Sequence, residues 1–202
     1  MKNNELSSSD GELLVKTARK IVTEFLKNNK KINLDDKFNL RFSFDAGVFV
    51  TLNNQQGLRG CIGFPLPSQK LSKGLFDASL AAALDDPRFQ PVKPEELDGI
   101  IFEVTVLTTP EEIKVNTPEE YFSKIKIGRD GLIVKHSFYS GLLLPQVPVE
   151  YNWNVKEFLE HTCEKAGLEK NSWLKSDVTI LKFEGVVFKE EIPNGKVVQV
   201  VL

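Results

Sequence analysis

Two short apolar runs around a polar loop set the first constraint on this chain. Residues 48–52 (VFVTL) and 58–64 (LRGCIGF) flank Asn53, Asn54, Gln55, Gln56 and Gly57. A polar loop of this length that closes on glycine turns a strand back on itself, and an antiparallel hairpin is predicted. The returning strand has an unusual composition. GLRGCIG, 57–63, holds three glycines, one arginine and one cysteine. Side chains alternate faces along a strand. Leu58 and Ile62 are therefore expected on a core-facing side, and Arg59 and Cys61 on the other. Gly60 and Gly63 lack a Cβ, which permits close approach to that backbone. The plainer alternative is a glycine-rich bend with a buried cysteine.

The same local pairing recurs along the chain. Residues 1–10 are polar and expected to fray, with Ser9 or Asp10 able to cap a helix over 11–27. Leu14, Ala18, Ile21, Val22 and Phe25 form its buried stripe. Residues 28–36 read as a turn, and Phe42 and Phe44 alternate with polar neighbours. An alanine-rich helix is predicted over 68–84, and a strand over 100–107 with Glu103 and Thr105 facing away from Phe102, Val104 and Val106. Thr117-Pro118-Glu119-Glu120 starts a short helix ending near 124. A hairpin over 132–134 and 141–144 follows, and Pro145 and Pro148 interrupt the run after it. Asn154 with Glu157 opens a helix to 166, with Gly167 beyond its end. A long strand over 178–189 turns at Pro193-Asn194-Gly195 into 197–201. Locally paired strands with irregularly placed helices predict an α+β fold, a mostly antiparallel sheet flanked by helices. Residues 11–202 read as one domain, with 109–148 contributing to a smaller second lobe.

Several function classes are disfavoured. The 202 residues carry a formal net charge of −2, so there is no global basic field to hold nucleic acid. Two cysteines and two histidines offer neither a disulfide framework nor a zinc spacing. No apolar run reaches the length of a membrane span, and the polar start has no signal-like core. A cytoplasmic location is the default expectation. No phosphate-cradling glycine motif is present. His161 and Cys163 fall on different sides of their helix, where Cys163 reads as core, and no metal site is expected. His136 reads as a surface residue. Tyr151 and Trp153 are aromatic candidates for base stacking, but without a basic groove around them.

Cys61 is the strongest chemical candidate. A thiolate is the reactive form of cysteine, and a guanidinium two residues away on the same strand face would favour it. Arg59 is thus expected to stabilise the thiolate or to hold an anionic substrate. A general base is missing nearby. Glu103 and Glu150 are carboxylates in otherwise apolar settings and are possible partners.

The motifs together resemble the AMMECR-one family, named from the Alport syndrome, midface hypoplasia and elliptocytosis chromosomal region. The resemblance begins at LRGCIG (58–63) and DDPRFQPV (85–92). It continues through IIFEVTVLTTPEEI (100–113), GRDGLIV (128–134) and GLLLPQVPVEYNW (141–153), then FLEHTCEKAGL (158–168) and Trp173. It implies an α+β fold in two lobes with the six-residue motif at their junction. It implies an enzyme or an enzyme-accessory protein, and by gene neighbourhood a Memo-like or radical S-adenosylmethionine partner. It names no substrate and no cofactor. The expected site has Cys61 as the reactive thiol. Arg59, Gly60, Ile62, Gly63, Arg88, Glu103, Gln146 and Glu150 are expected to bind a small-molecule or protein ligand in one cleft. The competing expectations are a non-catalytic adaptor and, less favoured, a nucleic-acid or nucleotide binder.

Overall fold

The computed structural model describes residues 6–200. They divide into two compact units, one running up to Leu107 and resuming at Val186, the other Thr108–Gly185. Residues 109–148, expected to contribute to a smaller lobe, fall within the second unit.

The first unit opens with helix α1, Ser8–Asn28. Its cap is Ser7, in a reciprocal capping box with Asp10, so the helix starts earlier than predicted and takes in Ser9 and Asp10. Residues 1–5 of the expected frayed start lie outside the described residues. Leu14, Val15, Ala18, Ile21 and Val22 are its buried face. Helix α2, Asp36–Arg41, occupies part of a region read as turn and alternating strand. Asp35 caps it by accepting the Phe38 N–H at 2.8 Å, a local bond that outweighs the alternation around Phe42. Strands β1 (Gly47–Asn54) and β2 (Gly57–Phe64) form the predicted hairpin. Helix α3, Leu71–Leu84, begins three residues later than predicted, after which a 3-10 turn, Pro94–Gly99, leads into β3, Ile101–Leu107.

The second unit contains β4 (Glu111–Glu112), α4 (Tyr121–Lys124), β5 (Asp130–His136), β6 (Tyr139–Leu143), α5 (Gln146–Glu150) and α6 (Val155–Lys165). Helix α5 forms across the proline-containing run because Pro148 sits in its first turn, where no N–H is needed. Asn154 and Glu157 make the expected capping box of α6, and Gly167 ends it at φ +76°. Phe158, Leu159, Thr162 and Cys163 are buried, which bears out the core reading of Cys163. Strand β7, Thr179–Glu190, lies between β4 and β5 in this unit, and β6 pairs with β5.

The second half of β7 belongs to the first unit and pairs with β8, Val197–Val200. The first unit's strands run in the order β2-β1-β3-β7-β8. All the strand pairings described are antiparallel, with helices placed irregularly between them, so the fold is α+β. Each unit has its own core. The first packs α1 and α3 against Val48, Val50, Leu52, Phe102, Val104 and Val106. The second gathers Leu132, Val134, Phe158, Leu159, Cys163 and Trp173.

One local departure bears on the site. The β1–β2 register pairs Leu52 with Gly60 but Asn53 with Leu58, so Arg59 is an extra residue in a β-bulge. A bulge shifts the alternation by one position. Leu58 therefore does not share the core face with Ile62, and it is 40% exposed. Gly60 and Ile62 instead oppose the fully buried Leu52 and Val50.

Candidate functional site

The hairpin and β3 define two faces in the first unit. Val48, Val50 and Leu52 of β1 pair with Val106, Val104 and Phe102 of β3 and face the core. The opposite face carries Thr51, which pairs with Cys61 on one side and Glu103 on the other. Three polar side chains thus stand in one row across three strands, all partly buried. The orientation of Glu103 and Thr105 away from the core matches the sequence reading. Thr51 Oγ1 donates a hydrogen bond to Cys61 Sγ at 3.3 Å.

Glycine positions explain how the strand sits. A Cβ at Gly60 would collide with the Ala82 carbonyl oxygen near the end of α3, so this glycine lets helix and strand backbones touch. At Gly63 the Phe49 ring fills the space, 2.5 Å from where a Cβ would stand. The close approach predicted at both glycines is made by the chain itself. Of the residues expected to bind ligand, Gly60 and Ile62 face the core, and Gly63 lies under Phe49.

The two arginines are already occupied. Arg59 forms a two-point pair with Glu96, Nε to Oε2 at 2.7 Å and Nη2 to Oε1 at 3.0 Å. Arg88 pairs with Asp86 through Nε at 2.9 Å and Nη2 at 2.7 Å. Both guanidiniums lie near the Phe89 ring, 5.9 Å and 5.5 Å from its centroid.

Asp86 was not singled out from the sequence, yet it organises the edge of β2. Its carboxylate also accepts the Cys61 N–H at 2.8 Å and the Arg88 N–H at 3.1 Å. Arg88 Nη2 in turn donates to the Cys61 carbonyl at 3.4 Å. The pair therefore meets both backbone groups of Cys61, as a neighbouring strand would, and blunts an open sheet edge. Because these groups point outward, Cys61 and Thr51 form a non-hydrogen-bonded pair, the closer of the two antiparallel spacings. The Arg88 guanidinium, with help from the two N–H donors, holds the Asp86 carboxyl far below the usual range. The sequence signal for this role was the Asp-Pro-Arg spacing, which allows an aspartate to accept from the backbone two residues on.

A depressed carboxyl stabilises the fold above the ordinary carboxylate pKa, and that contribution is lost as pH falls toward the folded-state value. Asp86→Asn is expected to cost about 1–3 kcal/mol at pH 7, since Arg88 is exposed and rehydrates while the Cys61 N–H keeps only a weaker acceptor. The gap from wild type should narrow below about pH 4. Urea unfolding at pH 7 and pH 3 measures both. Equal losses at the two pH values would show that the ionised pair is not the cause.

Electrostatics at the row differ from the sequence expectation. Burial pushes the Cys61 thiol up, a Thr51 hydrogen bond and the Arg88 charge oppose this, and Glu103 and Asp86 add to it. Arg59 is not the cation acting on the sulfur, because the bulge and Glu96 take its side chain elsewhere. Burial likewise pushes the Glu103 carboxyl up, against the pull of Lys189. Among the described residues Glu103 has no hydrogen-bond or ion-pair partner, and no cluster of metal-ligating side chains forms.

In the second unit Gln146 opens α5 and Glu150, exposed, closes it. Trp153 stacks with Tyr151, at 5.0 Å, and with His161, at 3.9 Å, so its ring is already engaged within the chain. Cys163 is fully buried and its thiol is pushed up to about 11 by that burial. His136 Nε2 lies 3.0 Å from Asp177. No helix among the described residues is long and apolar enough to cross a membrane.

Fold and site together define a class: α+β proteins whose glycine-rich second strand carries a cysteine beside an edge-capping Asp-Pro-Arg turn. Within that class the chain belongs to the AMMECR1 family, whose profile matches residues 15–188. It is 51% identical over 192 residues to protein PYRAB00100 of Pyrococcus abyssi, covering 93% of each chain. It is 48% identical over 196 residues to protein MJ0810 of Methanocaldococcus jannaschii, covering 96% of each. The crystal structure of the uncharacterised protein PH0010 from Pyrococcus horikoshii superposes with a TM-score of 0.83 at 49% identity. That match covers 95% of this chain and 97% of the other.

Proposed function

We propose that the protein is an enzyme, or the accessory subunit of one, that handles a small polar ligand on the Cys61–Thr51–Glu103 face. The observation that carries this reading is Glu103. A partly buried carboxyl with a raised pKa and no partner among the described residues is poorly explained by stability, because burying an unpaired acid costs free energy. It suits a group that takes up a proton more readily than an exposed carboxylate does. Cys61 supplies a thiol in the same row, neutral at rest, whose proton needs an acceptor before sulfur can act as a nucleophile. Glu103 supplies the base that no residue near Cys61 in sequence offers. The Arg59 and Arg88 charges are already balanced by Glu96 and Asp86, which favours an uncharged or weakly charged ligand over a strongly anionic one. Gln146 and Glu150 belong to α5 of the second unit. A Memo-like or radical S-adenosylmethionine protein is the proposed partner in the accessory case.

The test is a comparison of variants against the dialysable fraction of a cell extract, followed by mass spectrometry. The wild type should deplete at least one species that both Cys61→Ser and Glu103→Gln leave untouched. Depletion by neither wild type nor variants would overturn the catalytic reading. The second reading, a non-catalytic adaptor, draws its support from the burial that keeps Cys61 as a thiol.

A further inference from the structure

We infer that Thr51 is a positioning residue that couples the protonation of Cys61 to that of Glu103, through a hydroxyl standing between them on the central strand. The inference rests on the Cys61–Glu103 reading above and adds to it the group that joins the two. Three observations carry it. Thr51 is the register partner of both residues, Cys61 across β1–β2 and Glu103 across β1–β3. All three lie on the face opposite Val50 and Leu52. The Thr51 hydroxyl already donates to Cys61 Sγ at 3.3 Å.

A hydroxyl has one proton to give and two lone pairs with which to accept. With its proton directed at sulfur, the acceptor side of Thr51 is available to the other neighbour. Cβ atoms of directly opposed residues are about 4.5–5.5 Å apart, a gap that a glutamate side chain spans. A protonated Glu103 can donate into that oxygen; an ionised one cannot. Two states then share a single proton. In one, Cys61 is the thiol and Glu103 the carboxylate. In the other, Cys61 is the thiolate and Glu103 the carboxylic acid. The proton leaves sulfur and ends on the carboxyl oxygen, no bond to carbon changes, and net charge is conserved. The second state gains a directed chain, Glu103 O–H to Thr51 Oγ1 and Thr51 O–H to Cys61 Sγ. The charged groups facing this row are Arg88 and Asp86, from the turn after α3, and Lys189, from β7. Arg88 favours the thiolate, Asp86 opposes it, and Lys189 favours the carboxylate.

The experiment is the pH profile of Cys61 alkylation by iodoacetamide in the native protein, read site by site by mass spectrometry. Buried Cys163 serves as the internal reference. Thr51→Val keeps the side-chain shape and removes the hydroxyl. It is expected to move the Cys61 profile up by about one pH unit, roughly tenfold slower alkylation at a fixed neutral pH. Thr51→Ser restores the hydroxyl and should return the profile to that of the wild type. Glu103→Gln removes the negative charge and should move the profile down. In the Thr51→Val background the same change should act more weakly, because the connecting hydroxyl is gone. Circular dichroism confirms folding, and Thr51→Ala replaces Thr51→Val if valine disturbs the strand.

A Thr51→Val profile that superposes on the wild type overturns the inference. So does a Glu103→Gln shift of the same size with and without the Thr51 hydroxyl. These outcomes are separate from the extract experiment. Coupling without depletion leaves Thr51 assigned and removes the enzyme reading; depletion without coupling does the reverse.

Discussion

Glu190→Ala is expected to lower the unfolding free energy by about 3–5 kcal/mol, the usual cost of breaking one side of a buried ion pair. Glu190 is only 2% exposed at its side chain and Arg19 11%. The carboxylate accepts from Arg19 Nε at 2.6 Å and Nη2 at 2.5 Å, and from the Phe102 N–H at 2.9 Å. Arg19 also donates to the Leu97 carbonyl at 3.1 Å and to that of Ile100, and its guanidinium lies 4.5 Å from the centre of the Phe102 ring. This cluster ties α1, the 3-10 turn, β3 and β7 together within the first unit. Removing the acid leaves a buried cation and a buried N–H without their partner. Urea unfolding measures the loss. Glu12→Ala, which breaks an exposed pair with Lys16, should change stability by no more than about 1 kcal/mol. Arg19→Met added to Glu190→Ala should recover part of the loss, because the uncompensated charge is gone. A loss for Glu190→Ala as small as that for Glu12→Ala would show that the cluster is incidental.

Gly60→Ala is expected to destabilise the first unit by about 1–3 kcal/mol and to loosen the site in the same step. The new Cβ meets the Ala82 carbonyl, which is backbone in a packed helix and cannot turn aside. Overpacking of this kind forces a backbone shift. The end of α3 must move off β2, and with it the turn that carries Asp86 and Arg88. The 2.8 Å bond from the Cys61 N–H to Asp86 should lengthen or break. Hydrogen exchange at the Cys61 amide, set against that at Val50 on the neighbouring strand, reads this directly. Faster exchange at Cys61 with Val50 unchanged is the expected result. Gly57→Ala is the contrast, because it has open space and its penalty comes instead from φ +108°. It should cost stability without speeding exchange at Cys61. Equal protection of Cys61 in Gly60→Ala and wild type would mean that α3 does not hold the Asp86 turn in place.

Much of the fold was readable because its determinants are local. The hairpin at 53–57, the Asn154–Glu157 capping box, the Gly167 stop and the Pro193-Asn194-Gly195 turn each depend on a few neighbouring residues. Helix α2 and helix α5 were missed for equally local reasons. The Asp35 cap was hidden by the Phe42–Phe44 alternation, and a proline at the third position of α5 was read as a break.

The site divides differently. The sequence by itself determined that residues 57–63 return antiparallel, that Cys163 belongs to a core, and that Glu103 turns away from one. Each follows from a period of two or 3.6 residues and the chemistry of the side chain. Tertiary structure decided the rest. Strict alternation placed Arg59 beside Cys61, but one extra residue in the bulge broke the parity, and Glu96 took the guanidinium. Which side chains meet Cys61 depended on strand register and on where a helix ends. Thr51 and Glu103 reach the row from ten positions before it and forty-two after it, and Asp86 arrives from the turn beyond α3. No local pattern encodes such distances, because register is fixed by burying the opposite faces of the same strands, Val48, Val50 and Leu52 against Val104 and Phe102.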